Sequence, residues 1–226
     1  YDIAEGNIAG HSEFERFGLN PDIDVAIEDI WTVGGTYIFP ATAQQMELVS
    51  TSAADDGSPL GTGIGVVTLY YLKTDGTAAT EDITLNGTGV VTTVATDIFR
   101  VNSLKAKTVG TGGSAAGVIS IRNLANTPIY SQIEVGNTRS RSSIYTVPKG
   151  LKLYVTSMFA GITFASAAAN PSNSALLTLR AKYDHEAGIV STFFMPHAEI
   201  SVGSGGGGVY RPFEIPLYFP AGTDLK

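Results

Sequence analysis

The sequence predicts an all-β protein, with two β-sandwich modules of jelly-roll type behind an extended N-terminal arm. Three observations carry this. From Trp31 onward apolar residues alternate with a period of two, in runs rich in Val, Ile, Thr, Tyr and Phe that suit a half-buried pleated surface. The runs recur at spacings of about 8–12 residues, as the strands of a sandwich do. Clusters of Gly, Asn and Asp separate them, and 26 glycines supply tight turns. No stretch keeps a helical period long enough for a convincing helix.

Residues 1–29 read as the arm. Gly6, Gly10 and Gly18 interrupt any helical pattern, and Asn20-Pro21 disfavours helix before the proline. Ile3, Ile8, Phe14, Phe17, Leu19 and Ile23 are too sparse to fold alone and read as pegs for pockets elsewhere, with a disordered terminus as the plainer alternative. This segment also holds the whole net charge. Eight carboxylates (Asp2, Glu5, Glu13, Glu15, Asp22, Asp24, Glu28, Asp29) against Arg16 give −7, the value of the full chain, and the remaining 13 acids and 13 bases cancel.

Residues 30–140 form the first predicted module, with strands at 37–39, 46–49, 65–72, 82–85, 90–94, 99–109, 118–124 and 129–133. Asp75-Gly76 and Asn86-Gly87 fall between alternating runs and predict hairpins with type I′ turns. Residues 141–226 form the second module, with strands at 144–147, 151–158, 175–183, 189–195 and 209–219. Pro212, Pro216 and Pro220 mark the last run as an edge or bulged strand. A further strand is expected beyond Lys226, since the chain stops just after a turn-like Pro220-Ala-Gly-Thr223.

Composition excludes several classes of function. With no cysteine there is no disulfide framework, thiolate zinc site or cysteine nucleophile. A pI near 4.9 argues against nucleic acid and anionic membranes as partners. No apolar run approaches the roughly 18 residues that span a bilayer, and the first residues lack the basic-then-apolar order of a secretory signal.

Individual motifs read mostly as architecture. Gly61-Thr-Gly-Ile-Gly65 precedes a strand and lacks a following Lys-Ser/Thr, so it reads as a hairpin loop and not a phosphate cradle. Gly203-Ser-Gly-Gly-Gly-Gly208 reads as a loop between strands. His11, His185 and His197 have no second histidine at ligand spacing, and Asp184-His185-Glu186 reads as a solvated turn. Asp22, Asp24, Glu28 and Asp29 place four carboxylates in eight residues, enough hard oxygen for Ca²⁺, but without EF-hand spacing; a solvated or arginine-docked stretch is the favoured reading. Arg139, Arg141, Lys149 and Lys152 form a basic patch with no acid between them. It reads equally as a solvated loop or as the counterpart of the acidic arm in head-to-tail pairing of copies. No catalytic residue, cofactor, metal or small-molecule substrate is expected.

Phe17-Gly-Leu-Asn-Pro-Asp-Ile-Asp24, Glu28-Asp-Ile-Trp-Thr-Val-Gly-Gly-Thr-Tyr-Ile-Phe-Pro40, Ile144-Tyr-Thr-Val-Pro-Lys-Gly150 and Arg211-Pro-Phe-Glu-Ile-Pro-Leu217 together resemble a widespread family of tailed-phage virion proteins. The resemblance spans most of residues 11–226. It implies a many-copy head or tail protein made of β-sandwich modules. Beyond it, the expected role is an auxiliary capsid protein, of decoration or cement type, on the virion surface. Its expected partners are the major capsid protein and neighbouring copies of itself in a trimer. Phe14, Phe17, Asp22, Asp24, Glu28, Asp29, Trp31, Arg139 and Arg141 are the candidate partner-binding residues, Trp31 being equally consistent with an ordinary core tryptophan. The alternatives are a tail or head-fibre protein that binds host glycans through exposed aromatics such as Tyr70, Tyr71, Tyr210 or Phe213, and a polysaccharide depolymerase, for which no acid pair stands out.

Overall fold

Period-two patterning turns directly into ladders. The computed structural model describes residues 2–163, 174–183, 193–203 and 208–226, and every regular element among them is a strand. In chain order these are β1 (Met46–Ser50), β2 (Ile64–Lys73), β3 (Ala78–Thr84), β4 (Val91–Thr92), β5 (Ile98–Val109), β6 (Ile119–Asn123), β7 (Ile129–Ile133), β8 (Tyr145–Thr146), β9 (Leu153–Ala160), β10 (Ser174–Lys182), β11 (Met195–Gly203), β12 (Val209–Phe219) and β13 (Asp224–Leu225). All the pairings between them are antiparallel.

A three-stranded sheet, β3-β2-β5, and a four-stranded one, β4-β1-β6-β7, share the first core. Val67, Leu69 and Tyr71 of β2 are buried while Val66, Thr68 and Tyr70 between them are only partly so. Met46, Leu48, Ile119, Ile121 and Ile133 of the second sheet join Ile64, Val67, Leu69, Ile83 and Leu104 of the first. Each such side chain is worth roughly 1.5–3 kcal/mol on burial, so this cluster carries most of the apolar stabilisation. The later strands form a four-stranded sheet, β11-β10-β13-β8, and a two-stranded ribbon, β12-β9. Their cores are smaller: Val147, Ala181, Phe219 and Leu225 in one cluster, Ala160, Ile200 and Val202 in another.

Several expectations are corrected. Residues 37–39 are not a strand: Tyr37 is buried and Ile38 exposed, so the alternation is real, but no ladder partner faces them. Asp75-Gly76 does turn the β2–β3 hairpin, but not as type I′. Only Gly76 has positive φ (79°), its N–H bonds Lys73 O at 2.9 Å, and the Asp75 carboxylate accepts from the Thr77 N–H and hydroxyl. Those two hydrogen bonds hold the Asp75 carboxyl below its ordinary pKa. Asn86-Gly87 makes no hairpin at all: β3 pairs with β2, β4 pairs with β1, and the chain crosses from one sheet to the other at this point. Of the run 189–195, residues 189–192 lie outside the described residues, and the strand that follows is Met195–Gly203.

The proline-rich run is bulged as expected, with the β12–β9 register breaking between Pro212 and Leu217. The final residues hold an unforeseen strand. β13 lies between β10 and β8, and Lys226 exchanges both backbone hydrogen bonds with Arg180.

Candidate partner-docking site

The only base in the acidic leader is the residue that fastens it. Arg16 donates from one guanidinium nitrogen to the carbonyls of Asn102 and Ile144, and its planar head lies 5.1 Å from the Tyr145 ring centroid. Its Nε is buried without a partner. Burial outweighs the neighbouring tyrosines and draws its pKa down to about 10. Nearby, burial pushes the Tyr37 hydroxyl well up, and burial raises Tyr145 against the opposing pull of Arg16. Phe14 packs on Tyr145 with centroids 5.3 Å apart, and Phe17 lies under Arg139 at 5.6 Å. Gly18 allows the chain to pass close by: a Cβ there would lie 2.7 Å from Ile30 O and 2.8 Å from Ser143 N.

Beyond Gly18 the leader closes on itself. Asn20 is buried and donates to the Glu28 carboxylate at 2.7 Å and to Asp29 O at 3.2 Å, and accepts from the Asp22 N–H. Between these contacts Pro21 to Ile27 stand in solvent. Asp29 turns inward. Its side chain is only 1% exposed, and it binds Arg180 at 2.7 Å, Lys226 at 2.9 Å and the Tyr37 N–H at 2.7 Å.

The expected partner-binding residues therefore separate. Asp29 and Trp31 face inward: Asp29 is an ion-pair centre, and Trp31 takes the core position that the sequence equally allowed, 5% exposed with its indole N–H on Gly35 O. Arg141 is paired with Glu134 and Glu28 is taken by Asn20. Phe14, Phe17 and Arg139 come together on one groove, while Asp22 and Asp24 remain exposed on the loop. The four acids at 22–29 do not converge on a common point, because Asp29 faces Arg180 and Glu28 faces Asn20. Lys149 is 3.7 Å from Asp75, so two of the four bases in the predicted basic patch are matched by acids outside it, Glu134 just before it and Asp75 far away in sequence.

The groove has a volume of about 470 Å³ and runs between Phe14–Phe17 on one side and Tyr70, Ala79 and Lys105 of the β3-β2-β5 sheet on the other. The leader's outer half makes no hydrogen bond to the body among the described residues. Its backbone bonds are local (Gly6 N–H to Ile3 O, Asn7 N–H to Asp2 O, His11 N–H to Ile8 O), leaving Ile3 and Ile8 44% and 40% exposed.

Other motifs resolve as architecture. Gly61 and Gly110 are places of backbone contact, where a Cβ would come within 2.2 Å of Ala54 O and 1.9 Å of Gly61 O respectively. The loop is thus packed against protein and holds no phosphate cradle open. Asp184-His185-Glu186 and most of the 203–208 glycine run lie outside the described residues. His197 packs on Tyr183 and Phe219, and burial lowers its pKa. Among the described residues no three His, Asp or Glu side chains gather as a metal site, and no helix is long and apolar enough to cross a membrane.

Sequence reasoning missed the side chains that join the early strands to the late ones. Arg100 makes a two-pronged bridge to Asp224 at 2.9 and 3.0 Å. Asn102 pairs its side-chain amide with the backbone of Thr146 in both directions, at 3.0 and 2.9 Å. No short motif marks such residues, since each acts across a large sequence separation. Comparison with family models, curated proteins and solved structures gave no match, so function must be read from the chain's own chemistry.

Proposed function

We propose that the chain is a structural, non-enzymatic virion protein of a tailed phage, an auxiliary capsid protein of decoration or cement type that sits on the capsid surface. The observation that supports this is the division of the leader. Arg16 and Asp29 root it in the body, while residues 2–11 carry two acids and two half-exposed isoleucines with no hydrogen bond to the body among the described residues. A rooted, projecting segment of this kind buries much surface per residue on a partner, at the cost of its ordering entropy. The family resemblance in the leader and at residues 144–150 supports the same reading.

Decoration of purified capsids tests it. A variant lacking residues 1–11 is expected to melt as the full chain does and to lose capsid binding. Equal decoration by both would overturn the role given to the leader. Deletion through residue 29 is the wrong comparison, because it also removes Arg16 and Asp29 from the body.

A second reading has an observation of its own. On the outer face of the β12-β9 ribbon, Tyr154 is paired with Tyr218 and Phe159 with Tyr210, and all four rings are about half or more exposed. Such a platform suits stacking on sugar rings, as a fibre protein that binds host glycans requires. Tyr71, by contrast, is buried. A glycan array with no hit would remove this reading.

A further inference from the structure

We infer that the groove lined by Tyr70, Lys105 and Arg139 receives the acidic outer leader of a second copy of the chain, so that copies join leader to groove. This rests on the reading of the leader as a docking element, and it names the partner and the receiving surface.

Charge and position together point to this groove. Most cations of the body are neutralised within the chain. Lys73, Arg100, Lys107, Arg122, Arg141, Lys149, Arg180 and Lys226 each have a carboxylate partner. The other five have none among the described residues; Lys152, Lys182 and Arg211 lie outside the groove, whereas Lys105 and Arg139 line it. Lys105 and Arg139 meet through an isolated β-bridge, so the two charges sit on adjacent stretches of chain. Each instead lies over an aromatic ring, Lys105 at 5.0 Å from Tyr70 and Arg139 at 5.6 Å from Phe17. Arg16 adds a third positive charge to the lining, against Glu15 as the lone carboxylate there. The groove is therefore a positive, aromatic-walled slot.

The leader is its complement. Asp2, Glu5 and Glu13 form no ion pair among the described residues, and Ile3 and Ile8 keep about two fifths of their surface exposed. Carboxylates would meet Lys105 and Arg139 while the isoleucines cover Tyr70 and Tyr145. Insertion within one chain is disfavoured by connectivity. Phe14–Phe17 already form a wall of the groove, leaving only Ser12 and Glu13 to reverse the chain into it. A leader from a second copy has no such constraint. The contact is heterologous, so it closes into a ring where the rotation allows.

Sedimentation velocity of the full chain, with no capsid present, tests this separately from capsid attachment. The native chain is expected to associate, and to do so more weakly as salt rises from about 0.05 to about 0.5 M, because screening shortens the reach of such charges. Lys105→Glu is expected to weaken association about tenfold or more, as charge reversal at a complementary contact does. Glu5→Lys, on an exposed residue whose one hydrogen-bond partner is the nearby Asn7, is expected to do the same. Mixing the two variants should restore a mixed complex that neither forms alone. A native chain that stays monomeric at every concentration, association unchanged by either variant, or a mixture that fails to recover would each overturn the inference. Capsid decoration that survives those outcomes would leave the proposed virion role standing without this contact.

Discussion

Asp55 has no exposed surface, yet every direction around its carboxylate is satisfied. It accepts from the Ser50 hydroxyl at 2.6 Å and from the backbone N–H groups of Ile64, Ala116 and Gly117 at 2.8, 2.9 and 2.8 Å. Gly63 must lack a side chain for this, since a Cβ there would lie 2.1 Å from Asp55 Oδ1. Asp55→Asn replaces one acceptor oxygen by an NH₂ that points at N–H donors. At least one buried donor is then orphaned, and each costs about 1–3 kcal/mol, so the variant should lose about 3 kcal/mol in urea denaturation. Unchanged stability would show that the carboxylate is not the hub of these loops. In the sequence, Asp55 sits in Ala-Ala-Asp-Asp-Gly, and nothing in that local pattern marks it as buried. Asp29 is as opaque, because its partners Arg180 and Lys226 lie 151 and 197 residues away. Local pattern reports a residue's type and neighbours in the chain, not what distant strands bring to it.

Elements were more legible than residues, and the failures are instructive. Residues 129–133 were readable as β7 to the residue, and 99–109 nearly as β5, from their β-branched and aromatic content. Burial there does not strictly alternate: Tyr130 and Ser131 are both buried in β7, and Ile98, Val101 and Leu104 in β5. The two X-Gly dipeptides carried the same signal and gave different outcomes. Each marks a turn, but only the packing of the flanking runs decides whether they pair with each other. After Gly87 the chain is drawn against β1, and Gly87 serves as a contact point, with its N–H on Asp55 O and its carbonyl on Ser50 N–H. The leader was legible as acidic, and Arg16 was visible as its single base, though nothing local showed that it docks, that residues 2–11 turn on themselves or that Asn20 closes residues 20–29 into a loop. If that pin holds the segment, Arg16→Ala should release residues 12–19. Cleavage by a glutamate-specific protease at Glu13 and Glu15 should then speed up about tenfold or more, as expected for a loss of about 1.4 kcal/mol or more from a local opening equilibrium. Rates equal to those of the native chain would mean that Phe14 and Phe17 suffice.

At the scale of the whole molecule, the apolar cores divide near one point in the chain while polar contacts cross it. The large core draws its residues from Trp31 to Ile144, and the smaller clusters from Val147 to Leu225. What joins them is directional: Arg100 with Asp224, Asn102 with Thr146, Lys149 N–H with Gly76 O, and Asp29 with Arg180 and Lys226. Area burial would allow the two parts to slide. Paired hydrogen bonds fix one register, because leaving any one unmade strands a buried group. Asp224 is the sharpest place to cut, since it accepts both prongs of Arg100 and the Thr146 hydroxyl, with side-chain exposures of 13% for Arg100 and 8% for itself. Asp224→Ala leaves a nearly buried guanidinium unpaired, a loss of about 3 kcal/mol by comparison with other buried pairs cut on one side. Calorimetry of the native chain should show one transition. The variant should show two, the smaller late-strand cores melting first and the large core near the native midpoint. A single transition at an unchanged midpoint in the variant would mean that the two groups of strands are coupled by packing alone, and that the bridge only decorates a contact made elsewhere.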